Sequence, residues 1–223
     1  MTDLMKKLLG IHAMLCPFKT HEFSKIMQRL GPAPGRVLDV GGGSGLQATI
    51  MAKKAQFILS VDLPDTPRKH TADNIKFGNP QDIASYGESF NVATMICVIE
   101  HLNDPAAMLR DCYSALVPGG RILITADSLD GVSPSAMESH AKQHQVVNYF
   151  TSSSLREVLE ESGFRVVALE PMFAGRFSRW LFRWCIRHGF KLPKLAYLPA
   201  LAAMHLDRSD TGKGMFLFAE AVK

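Results

Sequence analysis

Short, nearly continuous apolar runs alternate along the chain with longer segments whose apolar residues recur every three or four positions. The runs Arg36–Val40, Phe57–Asp62, Ile75–Phe77, Phe90–Cys97, Arg121–Ala126, Phe164–Leu169 and Met215–Val222 predict seven strands. Helices are predicted over His21–Leu30, Leu46–Lys54, Asp104–Leu116 and Thr151–Ser162. The last opens on Thr and Ser caps, carries a Leu155, Val158, Leu159 stripe and stops at Gly163. Gly31-Pro32-Ala33-Pro34-Gly35 and Pro118-Gly119-Gly120 read as a loop and a turn. Strands alternating with helices imply an α/β domain with a mostly parallel sheet covered on both faces.

At 223 residues, without a repeat or a low-complexity tract, the chain reads as one domain over 1–223, with an N-terminal helical segment 1–34 and a helical insertion 172–210 before the last strand. The balance of 25 Lys+Arg against 21 Asp+Glu, net +4, gives no reason to expect nucleic acid as a partner. Cys16, Cys97, Cys112 and Cys185 are scattered with no C-x-x-C pair, which fits a reducing, cytoplasmic setting and neither a zinc site nor a disulfide framework. The N-terminal apolar run is interrupted by His12 and lacks a small-residue cleavage site, so it makes a poor secretion signal. No apolar run approaches the roughly 18 residues of a membrane span.

The first predicted strand feeds VLDVGGGSGLQA, Val37–Ala48. Glycines between a strand and a helix let a ligand approach the backbone and the free N–H groups of the helix start. The triphosphate pattern fails, because no Lys-Ser or Lys-Thr closes the loop. A dinucleotide frame, Gly43-x-Gly45-x-x-Ala48, does fit. Asp39 argues against it: an acid just before the loop repels a pyrophosphate and suits a ligand carrying positive charge.

VLDVGGGSG resembles the first motif of the class I S-adenosylmethionine-dependent methyltransferases. FNVATMICVIEHLNDPAAMLRDCYSALVPGGRILIT, Phe90–Thr125, and NYFTSSSLREVLEESGFRVVALEP, Asn148–Pro171, are similar to the small-molecule branch, particularly the ubiquinone-biosynthesis type of O-methyltransferase. The resemblance implies a Rossmann-like fold, S-adenosylmethionine as cofactor, and a small-molecule or lipid-like acceptor methylated at oxygen. It also implies a cofactor set of Asp39, Gly41, Gly42, Gly43 and Gly45 at the methionine end, Asp62 with Leu63 at the ribose, Asp82 and Ile83 at the adenine, and Cys97 and Val98 beside the loop. The chain departs from the pattern at Asn91, where an Asp is usual, and at Leu63-Pro64-Asp65-Thr66-Pro67, which shortens the usual third helix.

In that branch a carboxylate three residues before the Glu-His pair completes a metal site. Here the position is Cys97, so no metal is expected. A hydroxyl acceptor must lose a proton, and a histidine is the economical base. His101, just past the fourth strand, is the first candidate; the bland reading is that Glu100 and His101 only cap and line the pocket. His144 is the second candidate, and with His140 it forms an i, i+4 pair in a segment that closes over the substrate in this family.

Arg176–Arg187 forms a basic amphipathic helix. At roughly 100° per residue, Arg176, Arg179, Arg183 and Arg187 fall within about 80° of one another, opposite Phe177, Leu181, Phe182, Cys185 and Ile186. With the apolar, proline-broken run Lys191–Met204, it suits a peripheral contact at the inner face of a membrane, a lid packed on the sheet edge, or arginines that bind a phosphate or carboxylate of the acceptor. Two further readings stay open: a nicotinamide-dependent oxidoreductase, and a non-catalytic binding or membrane scaffold. The oligomeric state is left open as well.

Overall fold

The structure, a computed structural model, describes residues 16–128, 138, 140–142, 145–187, 194–206 and 213–223. Helix α1, Pro17–Leu30, starts one turn before the His21 expected from the apolar spacing. Pro17 sits in its first turn, where a missing N–H is harmless, and Phe18, Phe23, Ile26 and Leu30 make its buried stripe. Strand β1, Arg36–Val40, leads through the glycine loop to α2, Leu46–Met51, and then to β2, Phe57–Val61. The connection to β3, Ile75–Gly78, holds no helix, since Pro64 and Pro67 break any helical run there.

Strand β4, Phe90–Ile96, is followed by a 3₁₀ turn at Ile99–His101. Helix α3, Pro105–Ala115, opens with the Asp104 carboxylate accepting from the Ala107 N–H at 2.9 Å. Strand β5, Leu116–Asp127, begins earlier than the expected Arg121 and absorbs the Pro-Gly-Gly turn as an irregularity, marked by the register shift against β4 between Phe90 and Val92. Helix α4, Ser152–Glu161, has a capping box between Thr151 and Ser154. Next come β6, Arg165–Met172, α5, Arg176–Arg187, α6, Lys194–Leu206, and β7, Phe216–Val222. Pro199 was expected to break the 191–204 run, yet α6 continues through it. The proline sacrifices one backbone donor, which the packing of α6 on α1 offsets.

The seven strands lie in the order β3-β2-β1-β4-β5-β7-β6. Pairs from β3 to β5 are parallel, and β7 runs antiparallel to both β5 and β6. The sheet is therefore mostly parallel with an antiparallel edge. Alternate residues feed opposite faces: Val37, Val92 and Leu123 join α1, α5 and α6 in one core, while Leu38, Ala93 and Ile122 join α3 and α4 in the other.

Helix α5 resolves the ambiguity of its sequence. Leu181, Phe182 and Cys185 are buried in the first core, so the apolar arc faces protein; Arg176 and Arg183 lie at the surface, with Trp180 59% exposed. Among the described residues, no helix is long and apolar enough to cross a membrane.

Candidate active site

The loop Gly41–Gly45 crosses the carboxyl end of β1. Gly41 and Gly42 donate their N–H groups to the Val61 carbonyl at 2.8 and 3.1 Å, which ties the loop to β2. Gly43 has φ +55, and a Cβ added there meets nothing within 4 Å, so its free side opens outward. A cavity of about 240 Å³ lies here, lined by Lys19, Gly41, Gly42, Gly43, Ser44, Leu46 and Gln47. At Gly42 a Cβ would collide with Ser60 Oγ and lie 2.6 Å from Asp39 Oδ2.

Asp39 is thus below the loop rather than on it, 1% exposed. Its carboxylate accepts from Ser60 Oγ and Thr94 Oγ1, both at 3.0 Å. Burial pushes it up to about 6, against the pull of those two hydroxyls. Expected at the methionine end of the cofactor, Asp39 lies beneath the loop with its carboxylate held by Ser60 and Thr94.

Asp62 reaches across from β2 to the loop. Oδ2 accepts from the Gly43 N–H at 2.7 Å, and Oδ1 accepts from the Leu63 N–H at 2.7 Å and from Thr66 Oγ1 at 2.9 Å. Leu63 is exposed beside it. The segment that replaces the third helix then folds back: Arg68 donates to the Gly43 carbonyl at 2.6 Å, and the Lys69 and His70 N–H groups donate to the Ser44 carbonyl at 3.0 Å. Asp82 stands exposed in the 3₁₀ helix Pro80–Tyr86. Ile83 is fully buried in the second core, so its side chain is spent on packing and only its backbone is left to meet an adenine.

The carboxyl ends of β4 and β5 hold a second group of residues. Cys97, strained at φ +50, donates its thiol to Glu22 Oε1 at 2.8 Å, and Val98 packs against Gly41. Glu22 also pairs with Lys19 at 3.1 Å. Cys97, Glu100 and Asp127 bring a thiol and two carboxyls within 4.8 Å of one another. Their positive partner is Lys19: the loss of water around its ammonium opposes the charge, but Cys97 and Glu22 together hold it well above the ordinary lysine value. Glu100 is fully buried and neither of its oxygens has a hydrogen-bond partner. Burial and Asp127 push it up to about 8, and burial pushes Asp127 up to about 7.

His101, the first candidate base, lies exposed, with Nδ1 3.2 Å from the Gln145 carbonyl. His144 lies outside the described residues, while its neighbour His140 is buried in the group. His140 Nδ1 is 3.0 Å from Tyr149 Oη and its Nε2 is 3.7 Å from Asp127 Oδ2. Lys19, Glu22, Asp127 and Tyr149 went unread in the sequence. The usable signals were an acid closing the apolar run RILITAD and an acid on the buried stripe of α1.

A methyltransferase-domain family profile matches residues 17–169, more than half of the chain. The chain belongs to the class I S-adenosylmethionine-dependent methyltransferases. A ubiquinone biosynthesis O-methyltransferase of Xanthomonas axonopodis pv. citri is 33% identical over 110 residues, covering 45% of this chain and 46% of that protein. The chain thus spans about half the length of the curated relatives it matches. Two solved structures share the fold. An S-adenosylmethionine-dependent methyltransferase from Mesorhizobium loti has TM-score 0.61 and 19% identity, covering 91% of this chain and 98% of that one. Phosphoethanolamine N-methyltransferase 2 of Haemonchus contortus, in complex with S-adenosyl-L-methionine, has TM-score 0.63 and 22% identity, covering 91% and 52%.

The family's cofactor suits the residues present. The open side of Gly43 and the cavity beside it leave room for an amino-acid tail, and the buried acid below the loop favours a cation and disfavours a pyrophosphate.

Proposed function

We propose that the protein transfers the methyl group of S-adenosylmethionine to a hydroxyl of a small-molecule acceptor seated over the carboxyl ends of β4 and β5. The observation that carries this reading is the shared boundary of the two halves: Lys19 lines the glycine-loop cavity and also pairs with Glu22 in the acidic group. Likeness to an O-methyltransferase over 110 residues supports oxygen as the methylated atom.

When bound, the cofactor supplies an electrophilic methyl on a sulfonium, and the protein's share is alignment and exclusion of water. The glycine loop and Asp62 hold the donor end, with Leu63 beside the ribose, the backbone at Ile83 flanking an adenine and Asp82 in reach of its amine. Cys97 and Val98 wall the loop from the acceptor side. Asp62 serves a ribose by releasing its bond to Gly43 or sharing it, because all its present partners are donors within the chain.

A lipid-like acceptor is a second reading, favoured by Trp180 and the arginine rim of α5 beside it. With the apolar arc turned inward, such a rim adsorbs to an anionic surface rather than inserting into it.

A thermal-shift comparison of S-adenosylmethionine, S-adenosylhomocysteine and NAD tests the central reading. Stabilisation by the first two, absent with NAD and lost in Asp62→Ala, is expected. Stabilisation by NAD alone returns the protein to the dinucleotide class.

A further inference from the structure

The acceptor's proton needs a destination, and His101, exposed at the rim, is badly placed to take it. We propose that Tyr149, His140 and Asp127 form a relay that withdraws this proton; the inference rests on the methyl-transfer reading above. The three come from separate places. Asp127 ends β5, His140 follows in the next segment, and Tyr149 precedes α4. Backbone bonds set their register: Phe150 N–H donates to the Asp127 carbonyl at 3.3 Å, and the Val147 and Asn148 N–H groups both donate to the Glu100 carbonyl at 2.9 Å. The Asn148 side chain adds a bond to the Leu102 carbonyl at 2.8 Å. Tyr149 is thereby fastened across the ends of β4 and β5.

His140 is 3% exposed, with its ring 5.9 Å from that of Phe182 on α5. A carboxylate on the Nε2 side favours the tautomer with its proton on Nε2, which leaves Nδ1 to accept from the Tyr149 hydroxyl. Tyr149 is the least buried of the three and so the one that meets the acceptor. Burial lifts its phenol to about 12, with Asp127 and Glu100 adding to the effect. It works as a neutral shuttle, not as a standing phenolate.

The step balances as follows. The acceptor oxygen forms a bond to the methyl carbon, and the carbon–sulfur bond breaks with its electron pair staying on sulfur. The acceptor's proton passes to Tyr149 Oη while the phenol's own proton passes to His140 Nδ1. The resulting imidazolium faces the Asp127 carboxylate and later returns its proton to water. Tyr149 is the catalytic residue of the three; His140 and Asp127 are positioning residues that act through it.

The relay runs with His140 neutral and Asp127 ionised, so turnover rises with pH through the range near 7 in which Asp127 loses its proton. The charged and titratable groups around it are Lys19 and Glu22 from α1, Cys97 and Glu100 from the end of β4, and Tyr149 itself.

The test is nuclear magnetic resonance of the full chain with ¹⁵N-labelled histidine and added S-adenosylhomocysteine, the His140 signals being assigned by their loss in His140→Gln. His140 is expected to carry its proton on Nε2. Tyr149→Phe should shift the Nδ1 resonance, and Asp127→Asn should lower the ring's pKa by about one unit. A proton on Nδ1, or a pKa that neither substitution moves by more than about 0.3 unit, overturns the relay. In turnover of a catechol probe, Tyr149→Phe should lower kcat about 100-fold and leave the KM for S-adenosylmethionine unchanged. Equal kcat overturns the proposal even where the resonances couple. Failure of the methyl-transfer reading shows separately, as absence of stabilisation by S-adenosylhomocysteine in a chain whose His140 titration is still coupled.

Discussion

The donor half and the acceptor half of the cleft are built in opposite ways. Around the glycine loop the working parts are mainly backbone: N–H groups on the Val61 carbonyl, an open Gly43, and one bridging carboxylate, all within the stretch from Gly41 to Arg68. Across the ends of β4 and β5 the parts are side chains drawn from Lys19, Glu22, Glu100, Asp127, His140 and Tyr149. Backbone geometry tolerates little change, whereas a ring of side chains can be recomposed without disturbing the sheet. The donor half accordingly suits a fixed cofactor, and under the proposed function the side chains at the ends of β4 and β5 are the ones that select the substrate.

The largest effect that would sharpen this contrast is expected from Asp62→Ala. It removes a carboxylate that bridges Gly43, Leu63 and Thr66, and charge-assisted bonds of this kind contribute roughly 1.5–3 kcal/mol each. Affinity for S-adenosylhomocysteine should fall about 100-fold by calorimetry, with the fold retained. Unchanged affinity would mean that the donor half does not depend on this bridge.

Next in size is Gly42→Ala, which places a methyl against Ser60 and Asp39. A loss of about 1–3 kcal/mol in urea unfolding is expected, because both neighbours are held in the sheet. Glu100→Gln supplies the counterpart in the acceptor half. It replaces a buried acid without hydrogen-bond partners by a neutral amide, and should leave stability at neutral pH nearly unchanged.

Asp39 separates the halves by pH. Its folded value, about 6, lies above the ordinary 3.8, so the protonated form is the one folding favours. The associated stability is present below about pH 4 and is lost as pH rises through 6. Over that window it amounts to about 3 kcal/mol. The stability difference between wild type and Asp39→Asn, measured by denaturant unfolding from pH 4 to 7, should track this loss; a flat difference would show that Asp39 is not the group responsible.

The smallest effect concerns α5. Weak pelleting with anionic vesicles, sensitive to salt and abolished by Arg179→Glu with Arg183→Glu, is expected, because Arg176, Trp180 and Arg183 are exposed and Arg179 is half-buried beside them. Pelleting with neutral vesicles would contradict the inward packing of Leu181, Phe182 and Cys185.

The contrast also explains what could be read from the sequence. The strands and the loop were legible because apolar runs and glycines act locally, and Asp62 lies a short way down the chain from its partner Gly43. Asp39 is legible as the acid before the loop, but spacing along a strand does not reveal that Ser60 and Thr94 on its neighbours donate to the carboxylate. His101 stood out next to Glu100, yet the 3₁₀ turn points one inward and leaves the other in water. Asp127, His140 and Tyr149 carry no shared spacing; backbone bonds from 147–150 to the strand ends bring Tyr149 near Asp127, and the His140 ring lies beside both.

Strand β7 has a consequence for how the protein comes to be assembled. It lies between β5 and β6 although it follows both in the chain, and its Phe216 pairs with Asp127. While the chain emerges from a ribosome, β5 keeps a bare edge and β6 has no neighbour until residues 216–222 arrive. The donor half is complete long before that moment. Asp127, already bonded to Phe150, gains its Phe216 neighbour only then, so the end of β5 is completed after the glycine loop.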